Sequence, residues 1–219
     1  DYHYPKGGTG VFVRKLVDYI NRNGGEIRTG VAVQSINLEK KMLRTANGGE
    51  VYYDQLLWAA DQKTLYQIID EDDQPDEKTI TSVRNKQRFL EDKTGNDSVL
   101  TVYLGVNLDH DFFNEISAGH FFYTPSRKGL SEAGSPPYDA SWNEIIQWLD
   151  LFFELTTYEI SIPVLRDISM APAGKTGLII STLFDYKITK YIADRGWEQK
   201  FRDYSTEVIT RTLDRTVYP

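Results

Sequence analysis

The residues best placed to do chemistry are the glycines of the segment KGGTG at residues 6–10, which lies directly before an amphipathic helical pattern. Glycine lets a backbone approach a ligand closely, and the free amides at a helix N-terminus can bind an anion. Arg14 and Lys15 add positive charge to the first two turns of that helix. The segment is compatible with a phosphate-binding turn or with a plain turn. It matches neither the dinucleotide fingerprint nor the Walker loop, so spacing alone does not establish nucleotide binding.

The other polar residues form no acid–base constellation, and no catalytic residue is predicted. The absence of cysteine excludes disulfides, thiolate metal sites and a cysteine nucleophile. His3, His110 and His120 are scattered, so no metal site is predicted. We interpret His120, on a predicted strand, as a structural residue, with a general base as the alternative. Asp61 is predicted to cap a helix, and Asp167 to be a turn residue or ion-pair partner rather than a functional carboxylate.

The glycine segment opens a helix that is followed by short strands. The helix has its apolar residues at helical period and ends at an Asn-Gly pair at residues 23–24, which favours a left-handed stop. Alternation and glycine-containing breaks then predict a three-stranded β-meander, and a short apolar run predicts a buried strand. An extended stretch is predicted over residues 26–36, the meander strands over 31–38, 41–46 and 50–53, the buried strand over 55–60, and a helix over 62–69.

The second half predicts a sheet with helices. The clearest strand, residues 98–106, is apolar on both faces and is therefore expected in the middle of a sheet covered on both sides. Ser141 and Glu144 form a capping-box pattern that opens a helix reaching about residue 155. The acidic run at residues 70–77 is predicted to be a solvated loop rather than a metal site. Further strands are predicted at 119–123, 156–162 and 177–184, and further helices at 78–90, 109–116, 185–192 and 197–213.

Length and composition permit a sizeable core. The chain has 219 residues, of which 40% are hydrophobic, with 14 Tyr, 10 Phe and 4 Trp. These aromatics suit a large apolar pocket or an ordinary core equally well. The net charge of −7 does not indicate a nucleic-acid partner or an anionic membrane surface. No apolar run is long enough to span a membrane and no signal peptide is visible. Because the chain starts at Asp1 and lacks natural-looking termini, we expect an excised piece of a larger protein.

Several motifs, taken in their order, resemble FAD-dependent amine oxidase and phytoene desaturase-type flavoproteins, especially the carotenoid isomerase and retinol saturase branch. The resemblance covers nearly the whole chain. It rests on PKGGTG at 5–10, GGEI at 24–27, Val33 with Ile36, LLWAAD at 56–61, SVLTVYLGV at 98–106, SIP at 161–163, DISMAPAGK at 167–175 and the ending at Tyr218 and Pro219.

The resemblance implies the middle part of such an enzyme, without the motifs that grip FAD at either end. Residues 1–70 would be a partial FAD-domain segment of helix and meander, and 71–219 a substrate-binding domain. The fold class is α+β, with a mixed, largely antiparallel sheet flanked by helices. By the family pattern, Val33 takes the place of the valine whose backbone contacts the adenine. The family's loop between flavin and substrate cavity matches Gly7, Gly8, Thr9, Gly10 and Val11.

The implied chemistry is hydride transfer to or from flavin on an apolar, often isoprenoid, substrate held in an apolar tunnel. FAD is expected in the full-length parent but not bound tightly by this piece, which is expected to be inactive alone. Partners would be the small apolar substrate and the remainder of the parent chain. A cytoplasmic location is predicted, with peripheral membrane association left open. The alternative function is a non-catalytic module that binds a lipid or a partner.

Overall fold

The computed structural model describes residues 3–71, 76–94 and 97–219. Packing divides the chain into two compact units. We call Val17–Thr94 the meander unit, and the residues before Val17 together with those after Thr94 the sheet unit. The predicted boundary between residues 70 and 71, which separates an FAD-domain segment from a substrate-binding domain, stays a prediction. Within the acidic run at 70–77, residues 72–75 lie outside the described residues.

Helix α1, Gly10–Arg22, forms where the helical period predicted it. It ends at Gly24, whose φ of +78° is the left-handed stop expected there, and the Gly25 amide donates to the Ile20 carbonyl. No residue of α1 is buried. Most of its apolar side chains, including Phe12 and Leu16, are exposed, and Val17 is partly buried. The described residues therefore leave most of the predicted apolar stripe uncovered.

The meander unit contains the predicted three-stranded antiparallel sheet. Its strands are β1 (Val33–Asn37), β2 (Met42–Thr45) and β3 (Glu50–Tyr52), in that order. Two helices follow, α2 (Gln62–Gln67) and α3 (Glu77–Leu90). The Asp61 side chain accepts a hydrogen bond from the Thr64 amide at 2.7 Å, which confirms its predicted capping role.

Two of the extended segments predicted in this unit do not form strands. Residues 26–32 form no strand, because a turn with Gly30 at φ +71° interrupts the extended stretch. Residues 55–60 form no strand either, and Leu57 is 90% exposed. Leu56 and Trp58 instead pack from a loop against the small core of Ile36, Ile69 and Val83. A short apolar run cannot distinguish a buried strand from a loop that contributes alternate side chains to a core.

The sheet unit is built on a four-stranded antiparallel sheet in the order β4-β7-β6-β5. The strands are β4 (Asp97–Val106), β5 (His120–Tyr123), β6 (Tyr158–Ser161) and β7 (Thr176–Asp185). Its helices are α4 (His110–Ile116), α5 (Trp142–Leu155), α6 (Tyr186–Asp194) and α7 (Glu198–Thr216), with short 3-10 turns at Leu130–Ala133, Pro163–Leu165 and Ile168–Met170. The α+β class with helices flanking a largely antiparallel sheet is confirmed.

The core of the sheet unit lies on one face of the sheet. Val102, Ile160, Leu178 and Ile180 point from the strands into a cluster with side chains of α4 to α7. The helical contribution to this cluster includes Phe113, Ile145, Leu149, Phe152, Phe153, Ile188, Ile192, Phe201, Val208, Ile209 and Leu213. The capping box at the start of α5 is confirmed: the Glu144 amide donates to the Ser141 hydroxyl, and the Ser141 amide donates to the Glu144 carboxylate.

The predicted central position of β4 is wrong. The strand lies at the edge of the sheet and pairs with β7 alone among the described strands. Val99 is 60% exposed and Tyr103 is 74% exposed, so the second face of the strand is not covered. The strand does carry apolar residues on both faces, as its sequence indicates. The described residues cover one face with helices and leave the apolar side chains of the other face exposed.

Candidate functional site

The open face of the four-stranded sheet is the candidate site. Antiparallel register places paired residues on the same face, so the alternate residues that do not enter the core share the other face. The pairs Val99–Leu183, Thr101–Ser181 and Tyr103–Ile179 define this face on β4 and β7. Further members come from β6 and β5, namely Glu159, Ser161, His120 and Phe122.

This face is more apolar than a solvent-facing sheet surface normally is. An antiparallel sheet with one wet face usually alternates apolar residues inward with polar residues outward. Here Val99, Tyr103, Phe122 and Leu183 are all exposed on the outward side. Exposed apolar side chains gathered on one face of a sheet indicate a binding surface.

A notch lies at one end of the open face, where two glycines pair. Gly105 of β4 is opposite Gly177 of β7, and a Cβ added to either would meet no atom within 4 Å. Both glycines line a cleft of about 270 Å³ together with Met170, Pro172 and other residues of the 170–177 segment. Glycine inside a strand often marks a place where a ligand approaches the backbone closely.

The predicted glycine turn is tied to the rim of this cleft. The Gly7 amide donates to the Asp167 Oδ2 atom at 2.6 Å, across 160 residues of sequence. A Cβ at Gly8 would lie 3.4 Å from the Cε atom of Met170, which lines the cleft. The turn thus forms part of the sheet unit and stands beside the notch.

Asp167 organises this contact. Its residue is only 5% exposed, and its Oδ1 atom accepts hydrogen bonds from the amide and the hydroxyl of Ser169 at 3.1 and 2.7 Å. The bond from the Gly7 amide, followed by those from Ser169, lowers the pKa of the Asp167 carboxyl. The prediction of a turn residue is confirmed, and the long-range bond to Gly7 is an addition that sequence reasoning missed.

The glycine turn does not have the form of an open phosphate cradle. Four amides of this stretch are already used: Gly8 donates to the Pro5 carbonyl, Val11 to the Gly8 carbonyl and Phe12 to the Thr9 carbonyl, in addition to the Gly7 bond to Asp167. Gly7 and Gly8 have φ values of +86° and +79°, which explains why glycine stands at both positions. The plain-turn interpretation therefore describes this local geometry. A substrate role of Gly7, Gly8, Thr9, Gly10 and Val11 stays a prediction.

Val33, the predicted adenine contact, lies in the other unit. It starts β1 and is half-buried against the small core around Ile36. Its Cα partner across the ladder is Thr45, and the neighbouring Ala46 amide donates to the Ala32 carbonyl. The structure brings Gly7 to Gly10 into the sheet unit and Val33 into the meander unit. The cofactor role of Val33 stays a prediction.

His120 lies on the open face rather than in the core. Its Nε2 atom is 2.8 Å from the Oε1 atom of Glu159, and its ring meets Phe122 edge-on with centroids 5.4 Å apart. The imidazole is 11% exposed and the carboxylate 45% exposed. The hydrogen bond fits the interpretation of a satisfied histidine. The position of His120 on the candidate site was not predicted, because face and register depend on pairing between strands distant in sequence.

The aromatic residues divide between core and open face. Phe152 packs against Trp148, Phe153 and Phe184, with ring centroids 5.0 to 5.5 Å apart. These rings pack against one another in the core, and Trp148, Phe152 and Phe184 also line a cleft of about 290 Å³. Tyr103 and Phe122 are the large aromatic side chains that the open face presents.

One group of potential metal ligands occurs among the described residues, at Asp109, His110 and Asp111. Its members are consecutive, and the Asp109 side chain accepts a hydrogen bond from the Asp111 amide at the start of α4. We therefore interpret this group as the N-terminal cap of α4 rather than as a metal site. None of the described helices is both long and apolar enough to cross a membrane.

Comparison with known proteins gives two similarities. No protein-family model matches the chain. The chain is 23% identical over 223 residues to the chloroplastic prolycopene isomerase of Daucus carota, a match that covers 99% of this chain and 31% of that protein. Its fold is similar to the crystal structure of reduced UDP-galactopyranose mutase, with a TM-score of 0.55 and 15% identity over 87% of this chain and 35% of that one.

The chain thus spans about a third of the length of each of these proteins. The similarity to the isomerase supports the flavoprotein superfamily that the sequence motifs resemble, and not a particular branch of it. The similarity to the mutase concerns the fold alone.

Proposed function

We propose that this chain is the substrate-binding portion of an FAD-dependent oxidoreductase of phytoene desaturase type, which acts on an apolar, isoprenoid-like molecule. The observation that carries the proposal is the open sheet face with its glycine notch. The similarity over the whole chain to a prolycopene isomerase supports an apolar substrate. Hydride transfer to or from the flavin would be the reaction, and the cofactor would supply the redox step.

The chain's own residues would bind and orient the substrate. The exposed side chains of Val99, Tyr103, Phe122 and Leu183 offer an apolar surface, and burying it under a ligand is favourable by about 25 cal/mol per Å². The pair of glycines would let a flat molecule rest on the backbone at the end of this surface. An apolar ligand lying there would exclude water from the sheet.

The glycine turn offers few free amides for the phosphates of FAD. The amides of Gly7 and Gly8 are engaged with Asp167 and the Pro5 carbonyl, and those of Val11 and Phe12 with neighbouring carbonyls. We therefore expect other polypeptide to form the FAD phosphate site. We expect the 219-residue chain to bind FAD weakly or not at all and to be inactive by itself.

The first experiment concerns the glycine notch. Gly177→Leu is expected to fill the notch and weaken binding of an apolar probe such as Nile red about tenfold or more, because the new side chain would occupy the ligand's place. Gly129→Leu is the matched control, since Gly129 lies in a loop before the Leu130–Ala133 turn. Equal binding by the wild type and Gly177→Leu would contradict the proposed site.

The second experiment concerns the enzyme. The gene around this chain should encode a strand and a G-x-G-x-x-G turn upstream, and the polypeptide expressed with those segments should copurify with flavin. Apolar candidate substrates should change its flavin absorbance. A gene without such segments, or a longer polypeptide without flavin, would instead favour a non-catalytic module that binds a lipid or a partner.

A further inference from the structure

A row of polar side chains crosses three strands of the open face. Glu159 of β6 pairs with Ser181 of β7, and Ser181 pairs with Thr101 of β4. Residues directly opposite each other in neighbouring strands have Cβ atoms about 5 Å apart, so these three side chains form one line across three strands. On β4 and β7 this row is flanked by the apolar pairs Val99–Leu183 and Tyr103–Ile179. The second of these rows continues through Ser161 of β6 to His120 of β5.

The members of the row are oriented by hydrogen bonds. The hydroxyl oxygens of Thr101 and Ser181 are 3.0 Å apart. The Glu159 carboxylate is held through its Oε1 atom by His120 at 2.8 Å, yet its side chain remains 45% exposed. An ionised carboxylate can accept about four hydrogen bonds. The row therefore offers a fixed acceptor next to a hydroxyl pair that can donate or accept.

We infer that this row binds the hydroxyl group of an otherwise apolar ligand. This inference rests on the proposed function, since it assigns a polar contact to the same face. A hydroxyl fits because it donates one hydrogen bond and accepts others. It would donate to the Glu159 carboxylate and accept from Ser181 or Thr101, while the carbon chain covers the flanking apolar rows. The ligand class is an aliphatic or isoprenoid alcohol.

The test compares three probes of similar length on the 219-residue chain: 1-decanol, decyl methyl ether and decylamine. Dissociation constants are measured by displacement of Nile red. We expect 1-decanol to bind about tenfold more tightly than the ether, a difference of about 1.4 kcal/mol, because the alcohol can donate a hydrogen bond to the Glu159 carboxylate and the ether cannot.

Variants of the polar row test which residues cause the preference for the alcohol over the ether. In Glu159→Gln the ratio between alcohol and ether is expected to fall to about twofold or less with ether affinity unchanged, and Ser181→Ala is expected to reduce it partly. Glu154→Gln is the matched control, because Glu154 is exposed on α5, which packs on the opposite face of the sheet.

The outcomes separate this inference from the function on which it rests. Equal affinity of the alcohol and the ether would overturn the hydroxyl site and leave the apolar binding face intact. Tighter binding of decylamine than of 1-decanol would also overturn the inference, because the polar row would then select a positively charged group rather than a hydroxyl. Failure of all three probes to displace the dye would remove the proposed binding face, and the inference with it.

Discussion

Asp167 shows how one side chain joins parts of the chain that are distant in sequence. It caps the 3-10 turn at Ile168–Met170 and accepts the Gly7 amide. The first role depends on the next two residues and was predictable from them. The second could not be predicted, because no local pattern indicates which distant amide will meet a carboxylate.

Replacing Asp167 by Asn is expected to destabilise the sheet unit at neutral pH. Hydrogen bonds from Gly7 and Ser169 lower the pKa of Asp167 in the folded state, so the ionised carboxylate favours folding. This contribution is present above the unfolded-state pKa of about 3.9 and is lost as the pH falls through the lower folded-state pKa. The urea midpoint of the variant should therefore lie below that of the wild type at about pH 7. The gap should narrow toward about pH 2, and a gap that does not depend on pH would contradict this account.

Two glycine-to-alanine changes should differ in their effect on stability. Gly8→Ala places a Cβ on a residue with φ +79°, which should cost about 1–2 kcal/mol of unfolding free energy. In Gly105→Ala the new Cβ would lie in open space, and the backbone of Gly105 is not left-handed. This substitution should leave the unfolding free energy unchanged or raise it by up to about 1 kcal/mol. Urea denaturation measures both. If Gly105→Ala is as destabilising as Gly8→Ala, the notch is not open as described.

At the scale of the elements, caps show what local sequence determines. The pattern of Ser141 followed by Glu144 predicted the start of α5, and the structure has both of its hydrogen bonds. Capping depends on residues three positions apart, so the sequence suffices to identify it. The role of β4 as an edge strand depends on strand order, which its own residues do not encode.

The same substitution at two serines should have opposite effects. Ser141→Ala removes the cap of α5 and should lower the unfolding free energy by about 1 kcal/mol. Ser205→Ala in α7 removes a buried hydroxyl that has no hydrogen-bond partner among the described residues, and should leave stability unchanged or raise it by about 0.5–1 kcal/mol. Chemical denaturation of both variants and of Ser141→Asp, which keeps a capping acceptor, provides the comparison. A loss of stability in Ser205→Ala would show that its hydroxyl has a partner.

The exposed stripe of α1 gives another element-scale prediction. Leu16 is 63% exposed while Leu149 of α5 is fully buried. Leu16→Ala should change the unfolding free energy by less than about 0.5 kcal/mol, whereas Leu149→Ala should cost about 2–5 kcal/mol. Sedimentation velocity should also show less self-association for Leu16→Ala, because exposed apolar surface favours association. A large stability loss at Leu16 would mean that α1 is packed.

At the scale of the whole molecule, the sequence established the fold class and the order of almost every element. Local periodicity and turn residues identified the helices and the meander. The candidate site was harder to predict from the sequence, because the open face combines residues from four strands that are far apart in the sequence. The motif resemblance supplied the superfamily, which composition and periodicity could not have done.

The chain's relation to FAD is a whole-molecule prediction. We expect the purified 219-residue chain to show no stoichiometric flavin absorbance, because the amides of Gly7, Gly8, Val11 and Phe12 at its glycine turn are already bonded. Absorbance near 450 nm can be compared with protein concentration, before and after incubation with excess FAD and gel filtration. A retained one-to-one flavin would contradict this expectation.

The most direct test of the binding face is to map an apolar ligand on the isotopically labelled chain by NMR. Titration with 1-decanol should shift the amide signals of the outward residues of β4 and β7, including Val99, Tyr103, Gly105 and Gly177, and should leave those of α5 and α7 unchanged. Shifts confined to the helices or to α1, with the sheet signals unmoved, would contradict the proposal that the uncovered side of this sheet receives the substrate.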